Sequence, residues 1–223
     1  METVVRPRVK VCCIQDAREA RLAVAHGASA LGLVSAMPSG PGVIADDVIA
    51  RLAARTPPPV ATFLLTSRVT PREIIEQQRR LRTSTLQLVD RLAPGAHAEL
   101  RAALPGIALV QVVHVTGPES IDEALALASQ VDALLLDSGN PAAPVKELGG
   151  TGRRHDWRLS RRIREAVDVP VFLAGGLRPS NVRAAIEEVG PFGLDVCSGV
   201  RRDGALDEAT LAAFMAAIRD AEG

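Results

Sequence analysis

Short aliphatic runs alternate with longer stretches in which apolar residues recur every three or four positions, from one end of the chain to the other. The runs rich in leucine and β-branched residues predict strands at Val9–Ile14, Ala30–Val34, Val60–Leu65, Thr85–Leu88, Ala108–Val113, Ala133–Asp137, Val169–Ala174 and Leu194–Ser198. The amphipathic stretches predict helices at Ala17–His26, Asp46–Arg55, Pro71–Arg82, Ala96–Leu104, Ser120–Ser129, Ser160–Val167, Pro179–Val189 and Leu206–Ala221. Thr70 and Glu73 have the spacing of a capping box around Pro71. The strands read as continuous apolar runs rather than as alternation, the pattern of parallel strands buried on both faces.

Eight strand–helix pairs in 223 residues predict one closed (β/α)8 barrel spanning residues 1–223. The competing open, doubly wound sheet places its phosphate-binding glycines after the first strand. Here Gln15-Asp16-Ala17 follows that strand, and the glycines cluster instead after strands six, seven and eight. Barrels often hold phosphate in that last position. The prolines Pro57, Pro58 and Pro59 read as a rigid loop before strand three, not as a domain boundary.

The formal net charge is zero and aromatics are limited to four Phe and one Trp. Neither a basic footprint nor a base-stacking surface is present, so nucleic acid is not an expected partner. No long apolar run predicts a membrane span or signal peptide, and the three cysteines lack metal-ligand spacing. A cytoplasmic protein needing no metal and no organic cofactor is the expectation.

Two titratable residues stand where barrels do chemistry, at the C-terminal ends of strands. Cys12 ends the first strand, on the same face as Lys10. A thiol there is either a small buried hydrophobe or, with its thiolate stabilised, a base. Asp137 directly follows Leu134-Leu135-Leu136. It is either a loop hydrogen-bond acceptor or, facing a pocket with a raised pKa, an acid. Gly150, Gly175, Gly176, Ser198 and Gly199 lie in loops open enough for backbone N–H groups to approach a phosphate. Strands one and eight are neighbours in a closed barrel, so Cys197 is expected near Cys12 or Cys13. Among the histidines, His114 follows strand five and is a pocket candidate, while His97 reads as surface.

The ordered motifs resemble the phosphoribosylanthranilate isomerase family: Lys10-Val11-Cys12, Leu134–Ser138, Gly149–Gly152 with Asp156-Trp157, Leu173–Val182 and Asp195–Val200. The resemblance spans nearly the whole chain. It implies a (β/α)8 barrel catalysing the Amadori rearrangement of a small-molecule 5-phosphoribosylamine, with N-(5-phosphoribosyl)anthranilate as first candidate. It further implies Cys12 as general base, Asp137 as general acid and the glycine loops as the phosphate site. The chain departs from the family pattern at Gly42, where the family has an arginine holding the anthranilate carboxylate, and at Cys13, where it has glycine. Val89-Asp90 stands for His-Gly, and Arg201 for a frequent glutamate. Arg153, Arg154 and Arg201 are therefore candidates to meet a substrate anion in place of the missing arginine. A related substrate with another aglycone, a non-catalytic phosphosugar-binding barrel and a phosphopentose epimerase are the competing readings. The sequence leaves monomer and homodimer open.

Overall fold

The computed structural model describes residues 7–139, 143, 148 and 154–221. Eight parallel strands close into a barrel: β1 (Arg8–Val11), β2 (Ala30–Val34), β3 (Ala61–Thr66), β4 (Thr85–Leu88), β5 (Ala108–His114), β6 (Ala133–Asp137), β7 (Val171–Leu173) and β8 (Gly193–Val196). Each is followed by a helix on the outside: α1 (Ala17–Ala25), α2 (Asp46–Arg55), α3 (Pro71–Leu81), α4 (Ala96–Ala103), α5 (Glu119–Ala128), α6 (Trp157–Ala166), α7 (Val182–Val189) and α8 (Glu208–Asp220). The barrel closes where β1 pairs with β8, which sets Lys10 opposite Asp195. Among the described residues no helix is long and apolar enough to cross a membrane.

The continuous apolar runs supply two layers at once. Outward residues such as Leu31, Leu33, Leu64 and Leu86 are fully buried against the helices. Inward residues such as Phe63, Val110, Leu135 and Phe172 fill the barrel, with Phe63 and Phe172 meeting edge to face at 5.9 Å. Each fully buried leucine or phenylalanine contributes roughly 1.5–3 kcal/mol, so the strands cannot slip register without exposing one layer. Carboxylates start several helices: Asp16, Asp156 and Asp207 accept from the backbone N–H of Glu19, Arg158 and Thr210. The capping-box spacing at Thr70 is realised differently, because its hydroxyl bonds the Glu73 side chain and no backbone cap forms.

The boundaries that differ from expectation have local causes. β1 ends at Val11 because Cys13 takes φ 62°, the left-handed region, which no strand residue adopts. Cys12 still donates its N–H to Val196 O at 2.8 Å, so it stays fixed to the barrel rim. Helix α6 starts at Trp157, three residues earlier than its pattern suggested, because Asp156 caps it. A two-stranded antiparallel ribbon, β9 (Arg201–Arg202) and β10 (Ala205–Leu206), was not anticipated. Its turn uses Asp203 and Gly204 at φ 52° and 80°, which suits an Asp-Gly pair.

Candidate active site

A pocket open to solvent lies at the C-terminal ends of the strands. Its wall includes Cys12 just past β1, Asp137 at the end of β6, Gly175 and Gly176 after β7, and Ser198 after β8. Residues far apart in the chain meet here because every strand of a parallel barrel ends on the same face.

Cys12 is 5% exposed. Its thiol fits against β2 only because residue 32 is glycine. A Cβ at Gly32 would stand 2.8 Å from Cys12 Sγ and 3.1 Å from Lys10 Nζ. Hydrogen bonding from the Cys13 thiol draws the Cys12 pKa below its ordinary value; burial opposes this, and the Lys10 charge assists. Cys13 moves the other way, raised by its hydrogen bonding to Cys12 and Cys197 and by burial. Lys10 itself is fully buried and donates to Asp195 Oδ1 at 2.8 Å. Burial pulls its pKa down, but the Asp195 carboxylate more than offsets this, so the ammonium stays charged beside the thiol.

Asp137 is 8% exposed, and burial raises its pKa, partly countered by a hydrogen bond from Ser138 N at 2.7 Å. One wall of the pocket therefore favours an anion on sulfur, and another favours a neutral carboxyl group. Such opposed environments are how one site keeps an acid and a base together near neutral pH.

The loop after β7 turns through Gly175 and Gly176 at φ 83° and 65°. Asn181 holds it, donating from Nδ2 to Gly176 O at 2.9 Å and accepting from Arg178 N. Gly199 serves this loop indirectly. A side chain there would overlap the Leu177 carbonyl, its Cβ lying 2.9 Å from the carbonyl carbon, so the glycine lets the loops after β7 and β8 touch. Gly150 and Arg153 lie outside the described residues.

Three candidates stand elsewhere. Arg201 is 7% exposed and bonded to Glu19 through both terminal nitrogens, to Cys12 O and Cys13 O, and to Gly204 O. It carries a structural load behind the pocket and is not among the lining residues, which corrects the expectation of a substrate-facing cation. Arg154 stacks on the Trp157 ring at 3.9 Å and is likewise not a lining residue. His114 shares a register position with Asp137 on β5 and β6, but its ring lies against Val89 O at 3.0 Å in a different cleft. A carbonyl only accepts, so Nε2 carries the proton, and the buried Nδ1 has no partner among the described residues. His97 is buried, not superficial, and pairs with Gln111 Oε1 at 3.0 Å.

Sequence reading passed over three lining residues: Cys13, Asp195 and Gln87. Asp195 was detectable, since a lone acid and a lone lysine on strands that must pair at closure are a buried ion pair in waiting. Gln87 is 3% exposed and its Oε1 has no partner among the described residues, an acceptor facing a cavity. Nothing in the apolar pattern of β4 distinguishes it from a core amide.

The family model for N-(5'phosphoribosyl)anthranilate (PRA) isomerase matches residues 9–217. An N-(5'-phosphoribosyl)anthranilate isomerase of Halobacterium salinarum is 39% identical over 211 residues, covering 94% of each chain. A crystal structure of phosphoribosyl anthranilate isomerase, in complex with reduced 1-(o-carboxyphenylamino)-1-deoxyribulose 5-phosphate, superposes with a TM-score of 0.80 at 26% identity, covering 96% of this chain and 99% of that one. Monomers generated from the dimeric Thermotoga maritima enzyme give 0.77 at 25% identity, with the same coverage.

Proposed function

The chain belongs to the N-(5'-phosphoribosyl)anthranilate isomerase family and is an isomerase of that substrate in tryptophan biosynthesis, and we propose that Cys12 and Asp137 divide its proton transfers between them. The observation that carries this reading is their position on one pocket with opposite electrostatic bias. Asp137, whose burial favours the protonated carboxyl, protonates the ring oxygen of the phosphoribosylamine. The ring opens to a protonated imine. The Cys12 thiolate then removes the proton from C2, giving an enolamine that rearranges to the ketone as carbon 1 is protonated. Each correctly placed acid or base supplies roughly 10²–10⁴-fold in rate.

The backbone at Gly175 and Gly176 and the Ser198 hydroxyl are the phosphate cradle in this reading, with Gly199 holding the two loops together and Gly150 contributing from the loop after β6. The support is physical at the loops after β7 and β8: Gly175 and Gly176 line the pocket beside Ser198, and no side chain of theirs stands between the backbone and a ligand. Sedimentation velocity decides between the monomer and the homodimer.

The test is turnover of freshly generated phosphoribosylanthranilate, followed by loss of its fluorescence, in the wild type and in Cys12→Ser and Asp137→Asn. The reading requires both variants to lose about 10²-fold or more in kcat while the reduced product analogue still raises the melting temperature. Full activity in either variant removes that residue from the mechanism.

A further inference from the structure

Cys13 and Gly42 compete for one volume. Gly42 sits in the loop after β2 at φ 79°, and a Cβ built on it would lie 2.9 Å from Cys13 Cα, 3.0 Å from Cys13 Sγ and closer still to Cys13 Cβ. These atoms are not the swinging end of a long side chain. Cys13 Cα and Cβ are fixed by a backbone in the left-handed region, which only glycine enters without cost. Three contacts hold that backbone and thiol in place. Arg201 bonds the Cys12 and Cys13 carbonyls, Cys197 Sγ lies 2.7 Å from Cys13 Sγ, and the Cys13 thiol points to Pro41 O at 3.5 Å. A side chain at 42 meets Cys13 Cβ first, so glycine at 13 removes the tightest contact and leaves only the 2.9 Å approach to Cα.

We propose that Cys13 and Gly42 form a coupled, specificity-determining pair that sets how the pocket meets the part of the substrate beyond the phosphoribosyl group; this rests on the isomerase reading above. With cysteine at 13, the loop after β2 offers the pocket Met37, Ser39, Gly40 and Pro41, and no charged side chain. Cysteine at 13 and glycine at 42 are then one feature of this pocket, not two. Replacing the cysteine alone gives up the thiol contacts to Cys197 and Pro41 O, and residue 42 cannot grow alone without displacing Cys13. Arg201 belongs to the same device, since its guanidinium holds the carbonyls on either side of the strained residue.

A double-mutant cycle tests this with Cys13→Gly, Gly42→Ala, Gly42→Arg and the two combined variants. The cost of a side chain at φ 79° is common to both backgrounds and cancels in the cycle. Two readouts are needed: the melting temperature, and affinity for two probes. The probes are reduced 1-(o-carboxyphenylamino)-1-deoxyribulose 5-phosphate and the same compound without its carboxylate.

In the wild-type background both Gly42 variants are expected to lower the melting temperature and to weaken the carboxylate probe about tenfold or more. In the Cys13→Gly background Gly42→Ala is expected to cost markedly less stability. Cys13→Gly/Gly42→Arg is expected to favour the carboxylate probe over its carboxylate-free partner about tenfold more than Cys13→Gly alone does. If Gly42→Arg fails to fold with Cys13 present yet folds with Gly at 13, coupling is supported, and Gly42→Ala supplies the measurable cycle. Equal effects of the Gly42 substitutions in the two backgrounds overturn the proposal. The melting-temperature cycle needs no ligand. A wild type that ignores both probes therefore condemns the isomerase reading while leaving the steric coupling separately measured.

Discussion

Replacing Lys10 by methionine keeps the volume of the side chain and removes a charge that has no contact with water. Lys10 is fully buried, Asp195 is 8% exposed, and their atoms meet at 2.8 Å, with the Phe63 ring 5.4 Å from the ammonium. Lys10→Met therefore strands a buried carboxylate, and breaking such a pair costs about 3–5 kcal/mol, or roughly 10²–10⁴-fold in the folding equilibrium. For a chain of this size that is about 6–20 °C in melting temperature. The double variant Lys10→Met/Asp195→Leu strands nothing, and two well-packed apolar residues are expected to recover most or all of the loss. Activity follows a different course. Lys10 lowers the Cys12 pKa and Asp195 raises it by a smaller amount. The Cys12 limb of the pH profile of kcat/KM should therefore move to higher pH in both variants, further in the single than in the double. Urea unfolding at pH 7.5 and pH–rate profiles measure the two effects separately. A single variant that loses less than about 1 kcal/mol, or a double no more stable than the single, would refute the stability argument. A double variant with the wild-type pH profile would refute the electrostatic one.

Four further outcomes are expected. Burial raises the Asp137 pKa above its unfolded value, so the native state holds this proton more tightly and stability falls as pH rises through the folded pKa. Asp137→Asn should accordingly gain stability over the wild type from about pH 4 upward while losing turnover, and denaturant midpoints across pH 4–8 that run parallel for the two proteins would contradict this. Gln87→Leu removes a buried acceptor with no partner among the described residues, so it should leave stability unchanged or improved. The same variant should lower kcat/KM about tenfold if that oxygen meets a substrate hydroxyl or N–H; unchanged kinetics would mean that it does not. Arg201→Lys cannot reproduce the fork that spans Glu19 and the Cys12 and Cys13 carbonyls. Its melting temperature should fall and its kcat should drop more than its KM rises, whereas a pure KM effect would return Arg201 to the substrate. Mild hydrogen peroxide should join Cys13 and Cys197, whose sulfurs lie 2.7 Å apart. The two thiols give up their protons and two electrons, and the peroxide leaves as water. The bridge removes the Cys13 thiol, which favours the Cys12 thiolate, and turnover should fall until dithiothreitol restores it; a peptide map showing a bridge to Cys12 instead would count against this pairing.

Much of this protein is legible in one dimension. Strand identity follows from apolar runs such as Leu134–Leu136, and the barrel follows from the strand–helix repeat. The catalytic rim follows from the rule that parallel strands share a C-terminal face. Cys12 and Asp137 could be placed at the pocket from sequence because polar residues ending such runs are costly to bury without purpose, and both line it. Gly175 and Gly176 could be placed there because loops after late strands open on the same face, and both line it.

What the chain pattern left undecided concerns partners, and partners depend on register and on loop backbone. Lys10 meets Asp195 only because closure pairs β1 with β8 at one register, joining residues 185 positions apart. Arg201 turned inward because an unanticipated two-residue ribbon delivers it to Glu19 of α1. His97 went inside because Gln111 offered it a partner across the barrel layer. Cys13 and Gly42 look like independent oddities along the chain, and only two left-handed backbones folded against each other make them one feature. Hydrophobic periodicity is a local, cooperative signal summed over many residues, so it survives in the sequence alone. A single polar contact depends on the position of two atoms to within an ångström, and that is set only when the whole barrel has closed.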